Sequence, residues 1–183
     1  MKSFLTLLLI AGALSCGSSG KQDTAMKESN STIESNEQEE IIVGEISMQD
    51  LEQPPHSAWF DPMYRSYKPS KETFDAIKSN IKDYEIKAFM GTWCADSQRE
   101  IPKLYKVLQE SGFNMENLNM RGVTQEKTLP GDLQTEYNVH YVPTIIFYKD
   151  GKEVNRFVEF PQETFEEDIA KIVTGQEYTN PYE

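Results

Sequence analysis

One short stretch, Trp93-Cys94-Ala95-Asp96-Ser97, holds residues that can do covalent chemistry. Cys94 stands where an apolar run gives way to a helical pattern. A cysteine at the start of a helix faces unpaired backbone N–H groups and the positive end of the helix dipole. Both favour the thiolate, the form that attacks disulfides. Trp93 beside it would shield one side and offer substrates an apolar surface. The plainer reading of Cys94 is an inert buried thiol, which is common for this residue type. Its place at a strand-to-helix junction beside Trp favours the reactive reading. Ser97 admits two readings, a hydroxyl that hydrogen-bonds the Cys94 thiolate and a helix-start residue with no chemical role. Asp96 reads as a solvated acid at the helix start, and its charge would weaken thiolate stabilisation.

Positioning that stretch requires an alternating chain. Ser70 is an N-cap candidate, followed at helical spacing by Phe74, Ile77 and Ile81. Tyr84 to Met90 reads as a strand. A helix from about Ala95 to Glu110 carries Ile101, Leu104, Tyr105 and Leu108 on one face, and Gly112 ends it. Asn117 to Val123 reads as a second strand, and Leu129 to Asn138 as a loop with a short helix. Val142 to Tyr148 is an apolar strand, Asp150-Gly151 a hairpin turn and Glu153 to Val158 its partner. Thr164 to Val173 closes the chain as a helix. Strands alternating with helices predict a layered α/β domain with a central mixed sheet flanked by helices. Residues 41–69 show no dominant period and read as an extension, packed on the domain, with one or two short helical turns.

Several motifs fall in register on these elements. Trp93 precedes Cys94, Pro102 lies eight residues after Cys94, Val142-Pro143-Thr144 opens the later strand, and Gly151 lies eight residues beyond Pro143. Together they resemble the thioredoxin superfamily over about residues 70–174. The resemblance implies a thioredoxin-like fold and a cis Pro143 whose neighbour Val142 offers backbone groups to an extended substrate. It therefore makes Trp93, Val142 and Pro143 substrate-binding residues beside a catalytic Cys94 and Ser97. Two departures bear on mechanism. The family's second cysteine is Ser97 here, giving a C-x-x-S site. The acid that many thioredoxins carry six residues before the first cysteine is Ala88. Cys94 can then form a mixed disulfide but needs an external thiol to resolve it. His140, three residues before Pro143, is expected near the site, as a surface histidine or as a partner of the thiolate.

The other cysteine belongs elsewhere. Lys2 followed by the apolar stretch Phe4–Leu14 reads as a secretory signal, residues 1–15, too short to span a bilayer. Ala13-Leu14-Ser15-Cys16 resembles a bacterial lipobox, which implies cleavage before Cys16 and lipidation of its thiol; Ala13 departs from the Leu preferred there. The alternative is a soluble exported protein with an incidental cysteine. Residues 16–40 follow as a lipidated cysteine and a polar, acidic linker with few apolar residues, expected to be disordered. A coil of this length reaches roughly 25–30 Å. Residues 70–183 are left as the thioredoxin-like domain.

Composition excludes other classes. The chain has 183 residues, 18 Lys and Arg, 30 Asp and Glu, and a net charge of −12. That balance argues against a nucleic-acid partner. Cys94 is the one cysteine in the domain, so no cysteine pair is available there for a structural zinc site, and no metal or other cofactor is expected. No glycine-rich phosphate loop is present. The expectation is a lipid-anchored thiol–disulfide oxidoreductase of the bacterial cell envelope, with its domain on the periplasmic side. Its partners would be protein thiols and disulfides and an external resolving thiol. The rival is a redox-inactive thioredoxin-fold lipoprotein that binds proteins.

Overall fold

The structure, a computed structural model, describes residues 40–183. The signal segment 1–15, Cys16 and the linker up to residue 39 lie outside the described residues. Among the described residues no helix is long and apolar enough to cross a membrane.

Alternation along β2 (Glu85–Met90) sets the two layers of the core. Ile86, Ala88 and Met90 point to one face, where they join Ile145, Phe147 and Phe157 under the larger helices. Phe89 points to the other, with Val123, Val142 and Ile146. This period-two split places both faces of the central strand in apolar surroundings. β2 pairs in parallel with β3 (Leu118–Gly122) and antiparallel with β4 (Thr144–Lys149). β4 turns through Asp150 and Gly151, both at positive φ, into β5 (Lys152–Val158). Consecutive positive φ values match the right-handed twist of a hairpin and favour an Asp-Gly pair. A two-residue strand, β1 (Gly44–Glu45), pairs antiparallel with β3 and completes a five-stranded sheet of order β1-β3-β2-β4-β5. The α/β thioredoxin-like architecture expected from the alternation is the one observed.

Helices α3 (Lys71–Asn80), α4 (Ala95–Ser111) and α6 (Phe165–Thr174) bury Ile77, Ile101, Leu104, Leu108 and Ile169 in the larger core layer. Ser70 caps α3 by accepting from Thr73 N–H at 3.2 Å, and Thr164 caps α6 through Glu167 N–H at 3.3 Å. The smaller layer is closed by the loop around α5 (Leu133–Glu136), with Leu129 and Val139 buried.

The N-terminal extension is more ordered than its sequence suggests. Besides β1 it forms a single turn, α1 (Met48–Leu51), and a ten-residue helix, α2 (Ser57–Ser66). Pro54 and Pro55 lie in the turn between these two helices, whereas Pro62 sits inside α2, where tertiary packing offsets its cost. Phe60 is buried, with its ring 5.8 Å from Tyr64 and 5.8 Å from Tyr105 on α4. Aromatic burial of this kind contributes about 1.5–3 kcal/mol per side chain, comparable to the roughly 3 kcal/mol cost of an interior proline. The start of β4 differs too. It begins at Thr144, not Val142, because Pro143 has no N–H to give to the ladder.

After α6 the tail runs back along the domain. Asp168, fully buried, accepts from Gln162 N–H at 2.7 Å and Tyr178 Oη–H at 3.3 Å. Burial pushes the Asp168 carboxyl above the usual range, and these donors offset part of that. Tyr178 is thereby anchored, and Tyr182 beyond it stacks on Tyr141 with ring centroids 3.8 Å apart.

Candidate active site

β2 delivers the chain to the site at Met90, and the turn Gly91-Thr92-Trp93 carries it into α4. Cys94 is the N-cap of that helix, its own N–H donating to Gly91 O at 3.0 Å and its carbonyl accepting from Gln98 N–H at 2.9 Å. The turn is held from three sides. Ser97 Oγ accepts from Gly91 N–H at 3.2 Å. Gln98 Nε2–H donates to Thr92 O at 2.7 Å. Trp93 Nε1–H donates to Val123 O at 3.1 Å, fixing the indole across the end of β2. The indole lies so close over Gly91 that a Cβ there would stand 2.6 Å from Trp93 Cε2. Glycine at 91 is therefore what lets Trp93 fold back beside Cys94.

Opposite Cys94 lies the loop before β4. The Val142–Pro143 peptide is cis. Cys94 Sγ–H donates to Val142 O at 3.2 Å, so the structure brings Trp93, Cys94, Val142 and Pro143 together. The loop is pinned in turn: Thr144 Oγ1–H donates to Tyr141 O at 2.7 Å, and Glu159 N–H donates to Pro143 O at 2.7 Å. Glu159 has φ of 64° and Phe160 N–H reaches back to Val158 O at 2.9 Å, a tight γ-turn that few non-glycine residues adopt. Its carboxyl is raised by burial and by Asp96, with Lys127 opposing.

Three sequence expectations change here. Cys94 makes no side-chain bond to the first N–H groups of α4; its thiol proton rests on the Val142 carbonyl instead. The Ser97 hydroxyl, read as a possible partner of the Cys94 sulfur, is fully buried and engaged with Gly91 N–H. Ser97 thus braces the turn that presents Cys94. Asp96 is not a bare solvated acid. It pairs with Arg99 at 2.6 Å, which also meets the buried Glu100 at 2.6 Å, and Lys103 reaches Glu100 at 2.9 Å. That chain of alternating charges offsets the Asp96 charge near the thiol. His140 is exposed and shares a hydrogen bond with Asn138 at 2.9 Å.

The region also uses residues that sequence reasoning passed over. Gly91, Gln98 and Val123 carry no chemical signature, since they act by holding or accepting backbone bonds or by lacking a side chain. Thr92 is similar: its Oγ1 accepts from Ile42 N–H at 3.3 Å, tying the N-terminal extension to the loop. Tyr141, Phe160 and Tyr182 are all exposed and form one aromatic patch beside Val142, with Phe160 6.5 Å from Tyr182. Among the described residues no group of His, Cys, Asp and Glu side chains could hold a metal ion.

Residues 53–171, well over half of the chain, match the family model described as Thioredoxin. The chain belongs to the thioredoxin family. A Mycoplasma genitalium thioredoxin is 29% identical over 101 residues, covering 55% of this chain and 87% of that protein. A Pseudomonas aeruginosa protein of unknown function superposes with a TM-score of 0.57 at 14% identity, over 72% of this chain and 93% of the other. A crystallised HIV epitope scaffold gives the same TM-score, 0.57, at 14% identity over 73% and 94% of the two chains. These two structures bear on fold alone. Thioredoxin-family membership suggests a redox or thiol–disulfide oxidoreductase role.

Proposed function

We propose that this thioredoxin-family protein is a monothiol thiol–disulfide oxidoreductase, anchored to a bacterial envelope membrane through Cys16 and acting through Cys94 alone. The observation that supports it most is the Cys94 thiol at the start of α4, 3.2 Å from the carbonyl of the cis-proline loop. The Cys94 thiolate attacks one sulfur of a client disulfide. A Cys94–client S–S bond forms, the client S–S bond breaks, and the leaving thiolate takes a proton. An external thiol then attacks the mixed disulfide. If it attacks the client sulfur, Cys94 leaves as thiolate and the external thiol stays on the client. If it attacks the Cys94 sulfur, the client leaves reduced, and a second external thiol must free Cys94 with formation of the external disulfide. A client's own second thiol can do the same, which is isomerisation and consumes no electrons overall.

The reaction is tested with the full chain in detergent, a glutathionylated protein as substrate and glutathione as the resolving thiol. Release of bound glutathione is expected to depend on both enzyme and free glutathione and to stop when free glutathione is removed. Release no faster than the uncatalysed rate would favour the rival reading, a thioredoxin-fold lipoprotein that binds proteins without turnover. That rival draws on Ser97 in place of a second cysteine and on Ala88 in place of the buried acid.

The anchor has its own test. A Cys16→Ala variant expressed in a bacterium is expected to leave the membrane fraction and to lose its lipid mass. Unchanged fractionation would sink the anchoring claim.

A further inference from the structure

Helix α2 takes no part in the thiol chemistry above, yet one of its faces opens beside it. Trp59, Pro62 and Met63 form one wall of an open groove of about 530 Å³, and Ala95, Gln98 and Arg99 at the start of α4 form the other. Ala95 directly follows Cys94, and Gln98 is the residue whose amide grips Thr92 O at 2.7 Å. The groove and the thiol loop are therefore built on the same few residues. The outer wall is held in place by Phe60, on another face of α2, which is buried against Tyr105 of α4. The lining is mostly apolar. Its one charged side chain, Arg99, is already committed to Asp96 and Glu100, each at 2.6 Å.

We propose that this groove receives an uncharged apolar side chain of a client polypeptide, on a residue within a few positions of the client cysteine that pairs with Cys94. The inference rests on the thiol-exchange reading and names its substrate class. Ala95 of the groove wall adjoins Cys94, so a client sulfur bonded to Cys94 starts one residue from the groove, and each further client residue extends the reach by about 3.3–3.6 Å. Side chains within a few positions of the client cysteine are therefore within reach of the α2 wall. A free ion pair would attract a charged residue, but Arg99 has no charge to spare. Glutathione, with two carboxylates and no apolar side chain, has nothing to place there. The groove thus separates polypeptide clients from small thiols.

The test uses three probes, each a cysteine sulfur capped by a coloured aryl thiol: a peptide with leucine flanking its cysteine, the same peptide with glycine, and glutathione. Cys94 attacks the cysteine sulfur, the Cys94–probe S–S bond forms, and the aryl thiolate leaves and is read by its colour. With the full chain in detergent, the leucine peptide is expected to react about tenfold faster than the glycine peptide, the effect of burying one apolar side chain. In Pro62→Glu, and separately in Met63→Gln, that preference is expected to fall below about twofold, while the glutathione rate is unchanged. Pro62 is exposed and Met63 half-buried, and far-UV circular dichroism identifies any misfolded variant. Equal rates for the two peptides with the unmodified protein, or a preference that survives in both variants, would overturn the groove's role and leave thiol exchange standing. Failure to react with any probe would overturn the thiol-exchange reading, and the groove inference with it.

Discussion

A Ser97→Cys variant is expected to release covalently held clients at least about a hundredfold faster than the unmodified protein at low external thiol, because intramolecular attack replaces a bimolecular one. Ser97 is three residues from Cys94 on the first turn of α4, and its hydroxyl lies against Gly91 N–H. A thiol placed there attacks the Cys94 sulfur of the mixed disulfide, the client thiolate leaves, and a disulfide between Cys94 and the introduced thiol remains. Two features limit the gain. The new thiol is buried, which disfavours its thiolate. Ala88, buried in the larger core layer, supplies no carboxyl to take its proton. Losing the Ser97 hydrogen bond costs about 1 kcal/mol, too little to unfold the domain. Client release is followed by quenching with acid and measuring the protein's intact mass. A release rate equal to that of the unmodified protein would mean that a thiol at position 97 does not reach the Cys94 sulfur.

Replacing Cys94 by alanine is the second large effect. Turnover of glutathionylated substrate is expected to fall at least about a thousandfold, to the uncatalysed rate, since removal of a sole nucleophile leaves nothing for the remaining residues to assist. Stability is expected to change little. Cys94 is half-buried and its side chain makes one hydrogen bond, through a weak sulfur donor, to Val142 O. A thermal midpoint within a few degrees of the unmodified protein separates loss of chemistry from loss of fold. Substantial turnover by Cys94→Ala would assign the activity to another group or to a contaminant.

How much of this was legible in the residues depends on what each one does. The strand at Tyr84–Met90, the cap at Ser70, the closing helix from Thr164 and the Asp150-Gly151 turn are local signals, and each formed the expected element. Cys94 and Pro143 could be paired only through the family resemblance, because no spacing rule brings residues so far apart in sequence to a 3.2 Å contact between Cys94 and the Val142 carbonyl. The missed features are non-local. Helix α2 is held by Phe60 against Tyr105, a contact that no window of the extension contains. β1 is two residues long and exists because the edge of β3 is there to receive it. Gly91 matters for the space it leaves to an indole, and Glu159 for a backbone N–H, and neither role has a residue-type signature. The direction of the Cys94 thiol, toward a carbonyl and not the helix N–H groups, follows from how the cis-proline loop is pinned from the end of β5.

The two cysteines divide into one inside the described domain and one in the segment before it; with Cys16 lipidated as proposed, the resolving thiol comes from outside the chain. The most direct test treats the full chain in detergent with glutathione disulfide, quenches with acid and maps the products by intact-mass and peptide mass spectrometry. The account predicts one glutathione per chain, located on Cys94, removed by added thiol and absent from the Cys94→Ala variant. A chain that stays unmodified at Cys94 under conditions where a free cysteine peptide is fully glutathionylated would contradict it.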